Sequence, residues 1–161
     1  MKIKPIVFKQ IQTKHTSIEV DFMFDPNITF VTGDAGTGKS LVFTFLREMS
    51  AENKNIKCFN YLDKAKNYKT AIKQSKGKLI IIDNADLLLD DAMRQYIAMD
   101  DKNQYIIIGR NPTGLELTQD EINELKSENR DGKTMFTLVK VFECHAGTVN
   151  SEPSSISGFC G

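Results

Sequence analysis

The chain lacks long apolar runs, a net charge and any clustered set of cysteines. No run of about 18 apolar residues occurs, so no membrane-spanning helix is predicted. Residues 1–5 do not begin a secretory signal either, and we therefore expect a cytoplasmic protein. Cys58, Cys144 and Cys160 have no CxxC or Cys/His ligand spacing, which favours reduced thiols over metal ligation.

The charges of the chain cancel in total but are distributed unevenly. Lysine plus arginine and aspartate plus glutamate each number 21, so no net field draws the chain to nucleic acid or to an anionic membrane. Residues 51–78 contain eight lysines and two acidic residues, whereas residues 79–131 contain twelve acidic and five basic residues. A basic face and an acidic face on one domain are therefore expected.

Four of these lysines fall on one side of a helix predicted over residues 62–76; they are Lys66, Lys69, Lys73 and Lys76. A row of this kind can follow the phosphate backbone of a nucleic acid. It is also the usual solvated face of an amphipathic helix, which the neutral net charge favours. Nucleic acid therefore stays open as a partner, and no membrane partner is expected.

Strand-like and helix-like segments alternate along the chain. Strands are predicted at residues 3–9, 17–24, 28–32, 56–61, 79–82, 105–108 and 134–142. Helices are predicted at residues 39–52, 62–76, 90–99 and 118–127, the last from a capping box of Thr118 and Glu121. Such alternation is typical of an α/β fold. We expect three layers, with a mostly parallel sheet of about five strands preceded by an antiparallel strand pair.

The chain is predicted to form one domain followed by a short tail. Its 161 residues suffice for a single well-filled core. Residues 144–161 are polar, contain several serines and glycines, and show no periodic pattern. We therefore expect a domain at residues 1–143 and a loosely ordered tail at residues 144–161.

Residues 33–40 carry the motif with the most specific chemistry. They match GxxxxGK(S/T) without departure and read Gly33, Asp34, Ala35, Gly36, Thr37, Gly38, Lys39 and Ser40. The glycines let the backbone wrap around phosphate, and the following helix directs its N-terminus at the same anion. Lys39 supplies positive charge to the β- and γ-phosphates, and Ser40 can ligate Mg²⁺. Together with Leu41, these residues form the predicted binding site for ATP.

A second motif follows the apolar strand predicted at Leu79–Ile82. Asp83 comes directly after this strand. A carboxylate at the tip of a buried strand can hold Mg²⁺, directly or through water, opposite Ser40. The alternative is an aspartate that merely begins a loop, but its place after the phosphate motif favours the magnesium role.

These two motifs resemble those of the additional-strand class of P-loop ATPases, which includes AAA+ proteins and RecF/SMC/ABC-type ATPase heads. In that class an inserted strand with a polar sensor residue separates the Walker B strand from the P-loop strand. The strand at residues 105–108, which Gly109, Arg110 and Asn111 follow, is similar to the inserted strand. The resemblance covers residues 3–141 and implies a P-loop NTPase fold with Arg110 or Asn111 near the γ-phosphate. A surface loop is the alternative for Arg110.

The chain departs from that class at Asn84, where a glutamate that polarises the attacking water is usual. An amide cannot accept a proton from water as a carboxylate can. Asp86 could replace the glutamate if its loop turns inward, and is otherwise a solvated acid. There is no LSGGQ-type signature and no helical lid domain, although Arg94 or Arg130 could act across an oligomer interface.

The sequence therefore predicts a minimal Mg-ATP-binding module of AAA-like type, with slow or partner-dependent hydrolysis. The candidate catalytic residues are Lys39, Asp83, Asp86 and Arg110, and the candidate Mg²⁺ ligands are Ser40 and Asp83. The expected output is a conformational signal to another protein or to a second copy. Two alternatives stay open, a small-molecule phosphotransferase and a regulatory nucleotide-binding protein that does not hydrolyse.

Overall fold

The computed structural model describes residues 4–14, 17–24, 26–32, 38–63 and 66–141. The strands in these ranges are β1 (Gln10–Lys14), β2 (Ile18–Met23), β3 (Ile28–Thr32), β4 (Ile56–Phe59), β5 (Leu79–Ile82), β6 (Gln104–Ile108), β7 (Ile122–Arg130) and β8 (Lys133–Lys140). The helices are α1 (Lys39–Glu52), α2 (Tyr68–Gln74), α3 (Ala85–Leu88) and α4 (Asp91–Met99). None of them has the length and apolar character that crossing a bilayer requires.

All eight strands belong to one sheet, in the order β1-β2-β8-β7-β3-β6-β5-β4. The neighbours from β7 to β4 run parallel to one another, and β2 also runs parallel to β8. The pairs β1–β2 and β7–β8 are antiparallel. β6 lies between β3 and β5 and is hydrogen-bonded to both, which is the place expected for the inserted strand.

The predicted three-layer fold with a mostly parallel sheet of about five strands is wrong. The sheet is mixed and curled. β1 and β2 form an antiparallel pair, and β2 joins this pair to the rest of the sheet through β8. One of its two core clusters contains α1 as its only helix among the described residues. Side chains from β1, β2, β7 and β8 complete that cluster, so the curled sheet itself supplies the cover that a layer of helices was expected to give.

The segment predicted as a helix at residues 118–127 forms most of β7 instead. The capping box is present, because both the N–H and the hydroxyl of Thr118 donate to Oε1 of Glu121, at 2.8 and 2.9 Å. It supports only one 3₁₀ turn, Gln119–Glu121. From Ile122 onward the backbone pairs with β3 on one side and β8 on the other. These two ladders override the local helix signal.

The first strand also begins later than predicted. Residues 4–9 form no strand, and β1 starts at Gln10. The buried side chain of Gln104 pairs with this segment in place of a neighbouring strand. Its Oε1 accepts the N–H groups of Val7 and Phe8 at 2.7 and 2.8 Å, and its Nε2 donates to the carbonyl of Phe8 at 3.0 Å.

Three other predicted segments differ from the structure or lie outside the described residues. The lysine-rich helix predicted at residues 62–76 is shorter, with a 3₁₀ turn at Tyr61–Asp63 followed by α2 at Tyr68–Gln74. Gly33, Asp34, Ala35, Gly36 and Thr37 of the phosphate motif, and the tail at residues 144–161, lie outside the described residues.

The sheet separates two buried clusters, and its central strands contribute alternate side chains to each. Ile81 and Ile106 point into the cluster that contains α1, whereas Ile80 and Ile107 point into the cluster that contains α2, α3 and α4. Every residue of β5 is buried, as the continuous apolar run predicts for a central parallel strand. The ends of β3, β5 and β6 are thereby fixed next to the start of α1.

Candidate functional site

Helix α1 begins at the end of the phosphate motif. Gly38 precedes its first residue with φ of +94°, in the left-handed region that glycine adopts without strain. A Cβ at this position would lie 2.6 Å from Cε1 of Phe136 in β8, so the space also requires glycine. Lys39 and Ser40 form the first turn of this 14-residue helix, where N–H groups have no partner within the helix. The N-terminus of α1 is therefore suited to binding an anion.

Asp83 lies at the end of β5 and is only 7% exposed. Its Oδ1 accepts the N–H of Asn84 at 2.8 Å, and its own N–H donates to the carbonyl of Phe59. Burial raises the pKa of the Asp83 carboxyl above its usual range, while the Asn84 N–H and the positive charge of Lys39 oppose that rise. Asp83 is thus a buried carboxylate within the electrostatic reach of Lys39.

Asn84 has a backbone conformation that explains its residue type. Its φ is +52° and its ψ is +44°, which places it in the left-handed region at the start of α3. Asparagine adopts this region more readily than most residues with a side chain, and glutamate does so less readily. Asparagine is therefore well suited to this sharp turn of the chain.

Asp86 lies in α3 and is bound to the loop after β6. Its Oδ2 accepts the N–H of Arg110 at 2.8 Å, and its Oδ1 accepts the N–H of Asn111 at 3.0 Å. Nη2 of Arg94 lies 3.4 Å from the same Oδ1. Asp86 is therefore neither a simple solvated acid nor a carboxylate without partners. Its use in positioning water stays a prediction.

A pocket of about 500 Å³ joins these elements. Its described lining residues are Gly38, Lys39, Ser40, Leu41, Asp83, Asn84, Asp86, Ile108, Gly109 and Arg110. All the predicted site residues that the structure describes are in this set. Arg110 is exposed at the edge of the pocket, as a residue that contacts a ligand can be. The ends of β5 and β6 and the start of α1, which are distant in sequence, thus converge on one cavity.

Ser40 and Asp83 are suited to Mg²⁺ but not to a site made by protein ligands alone. Within the described ranges, no group of three or more His, Cys, Asp or Glu side chains could hold a metal ion. Mg²⁺ is usually bound through one or two carboxylates together with waters and the phosphates of a substrate. One buried carboxylate and one hydroxyl on the same pocket fit that pattern. The metal would arrive with the nucleotide.

Sequence reasoning missed two residues that shape the site. Phe136 packs against Gly38, and Arg94 holds the loop after β6 from a buried position in α4. Arg94 was considered for a role across an oligomer interface, but its side chain is only 7% exposed. Neither residue belongs to a motif, and both reach the site only through tertiary packing.

Comparison of the sequence with protein-family models and with curated proteins finds no match.

Proposed function

We propose that this chain binds ATP with Mg²⁺ in the pocket at the start of α1 and serves as a nucleotide-dependent conformational module. The observation that supports this most is the meeting of Lys39, Ser40 and Asp83 on one pocket. The phosphate motif and the acidic residue after β5 come from different parts of the chain. Triphosphate binding with Mg²⁺ requires both of them at one pocket. A glycine turn before an ordinary helix would not require an acidic residue there.

Different residues of the pocket would bind the phosphates and the Mg²⁺ ion. Lys39 neutralises phosphate charge, and the N-terminus of α1 adds N–H donors for the same oxygens. Ser40 and Asp83 would hold Mg²⁺, which supplies charge neutralisation between phosphate oxygens when it is bound. The position of β6 between β3 and β5 further supports the resemblance to additional-strand ATPases. A protein partner or a second copy is proposed as the receiver of the signal.

Hydrolysis is proposed to be slow or dependent on a partner. Asn84 provides an amide where a general base would stand, and Asp86 uses both oxygens to bind the loop after β6. The same two observations favour a second candidate, a regulatory nucleotide-binding protein that does not hydrolyse ATP.

Calorimetric titration with ATP tests the proposal, in buffer with Mg²⁺ and in buffer with EDTA. We expect binding that is much stronger with Mg²⁺ than with EDTA. Absence of binding in both buffers would contradict the proposal. Binding unaffected by EDTA would remove the metal from it.

Phosphate release by Asn84 variants separates the two candidates. Asn84→Asp restores a carboxylate and tolerates the left-handed backbone, whereas Asn84→Gly tolerates it without a side chain and is the matched control. Faster turnover in Asn84→Asp than in Asn84→Gly indicates a site built for hydrolysis. Equal and negligible turnover in both variants indicates a binder without hydrolysis.

A further inference from the structure

The loop at residues 109–114, which follows β6, is held in place by two charged side chains from the neighbouring helices. Asp86 of α3 accepts hydrogen bonds from the N–H groups of Arg110 and Asn111. Arg94 of α4 donates from Nη1 to the carbonyls of Asn111 and Thr113 at 2.6 and 2.9 Å. The two side chains also form an ion pair with each other.

Both ends of this loop fit closely against the same two helices. A Cβ at Gly109 would lie 3.2 Å from Oδ1 of Asp86 and 3.3 Å from Cβ of Ala85. A Cβ at Gly114 would lie 3.4 Å from Cβ of Arg94, and Gly114 has φ of +83°. The loop therefore has little room to shift without breaking its contacts with Asp86 and Arg94.

The loop carries Arg110, an exposed cation that lines the pocket. Asp86 binds only the backbone of Arg110, and among the described residues no hydrogen bond of its guanidinium is found, so these donors can bind a ligand. Asp86 follows Asp83 by three residues and binds the Arg110 N–H. The backbone of Arg110 is therefore held next to the turn that contains Asp83. A fixed backbone lowers the entropy that the arginine loses when it binds phosphate.

We propose that Asp86 and Arg94 are positioning residues that hold Arg110 for the terminal phosphate of the nucleotide and so set the preference for a triphosphate over a diphosphate. This inference depends on the proposed function and adds the residues that discriminate ATP from ADP. Asp86 acts through the loop and not as a base on water. Arg94 is buried, and a buried charge is costly unless its hydrogen bonds are complete. Two loop carbonyls complete those of Arg94.

The test measures dissociation constants for Mg-ATP and Mg-ADP with wild type, Arg110→Ala, Asp86→Asn, Arg94→Lys and the double variant Asp86→Asn/Arg110→Ala. Asp90→Asn is the matched control. Asp90 lies between α3 and α4, close in sequence to Asp86 and Arg94, but it bonds to Lys69 and Met93 instead of the loop. Thermal melting checks that each variant folds.

Wild type and Asp90→Asn should bind ATP about tenfold or more tighter than ADP, the effect expected for a hydrogen bond between charged groups. Arg110→Ala should lose most of that preference with little change in ADP affinity. Asp86→Asn and Arg94→Lys should lose it to a similar degree, and the double variant should lose no more than Arg110→Ala alone. Non-additivity and unchanged ADP affinity distinguish positioning from a general structural role.

Three outcomes would overturn this inference. An unchanged ATP to ADP ratio in Arg110→Ala removes the role of Arg110. An unchanged ratio in folded Asp86→Asn or in folded Arg94→Lys removes the positioning role, and either variant suffices if the other does not fold. Failure of wild type to bind either nucleotide overturns the proposed function, and this inference with it, whereas binding with an unchanged ratio overturns this inference alone.

Discussion

Two residues that line the pocket at the start of α1, Gly38 and Asn84, have a left-handed backbone conformation. Gly38 directly precedes Lys39 and Ser40 of the phosphate motif, and Asn84 separates Asp83 from α3. The chain turns abruptly at each of them. Lys39 and Ser40, which follow Gly38, and Asp83, which precedes Asn84, line the same pocket. The backbone at these two residues is therefore as important to the site as the side chains.

Alanine at Gly38 should be more damaging than alanine at Gly77. Both glycines have positive φ, +94° and +70°, so alanine is strained at either by about 1–2 kcal/mol. At Gly38 the new Cβ also meets Phe136, whereas at Gly77 no atom lies within 4 Å. The clash should add about 1–3 kcal/mol to the loss of unfolding free energy, as overpacking usually does. Urea denaturation of the two variants measures the difference, and equal losses would contradict the close packing of Phe136.

The buried carboxyl of Asp83 should make the unliganded protein less stable at neutral pH. Because burial raises its pKa above 3.8, the neutral form favours folding. Its contribution is complete below pH of about 4 and is lost as the pH rises through the raised pKa. Asp83→Asn should therefore gain stability relative to wild type as the pH rises from 3 to 8, while Mg²⁺-dependent ATP binding is lost. Urea denaturation across this range measures the gain. A variant less stable than wild type at pH 7 would contradict the argument.

The motif residues could be found from the sequence because each is tied to its neighbours by spacing. The phosphate motif indicated Lys39 and Ser40, and the apolar strand at residues 79–82 indicated Asp83, which directly follows it. The engagement of Asp86 could not be foreseen, since its partners Arg110 and Asn111 are brought to it only by the parallel pairing of β5 and β6. That these residues bind or act on ATP stays a prediction.

Among the helices and strands, those buried on both faces were the easiest to predict. The apolar runs in β5 and β6 and the periodic pattern of α1 lie where expected, within a residue or so at their ends. β7 was missed because a true helix-capping pair directly precedes it and because it has few apolar residues. Its exposed outer half is stabilised by pairing with β8, which local sequence does not reveal.

The hairpin of β7 and β8 depends on the two residues of its turn. Arg130 pairs with Lys133, and Asp131 and Gly132 between them have φ of +51° and +79°. Two positive values are typical of a type I′ turn, which aspartate, asparagine and glycine tolerate. Asp131→Val should therefore lower the unfolding free energy by about 1–2 kcal/mol, while Asp131→Asn should leave it nearly unchanged. Urea denaturation checks both variants, and equal stability of the valine variant and wild type would disprove this turn assignment.

For the molecule as a whole, long-range strand pairing sets the architecture. The parallel pair β2–β8 joins the beginning of the described chain to its end, and β7 joins this outer part to β3. No turn or short loop dictates these pairs, and so the sequence predicted too few strands. Within this architecture β6 lies between β3 and β5, and the ends of β5 and β6 line the pocket.

The central claim is that the pocket at the start of α1 binds Mg-ATP through Lys39. Titration of Mg-ATP into wild type, Lys39→Ala and Lys54→Ala tests it most directly, since Lys54 is an exposed lysine just after α1 that does not line the pocket. Wild type and Lys54→Ala should bind with equal affinity, and Lys39→Ala should bind at least about tenfold more weakly, as expected for a lost charged hydrogen bond. No binding by wild type, or equal affinity in Lys39→Ala, would contradict the claim.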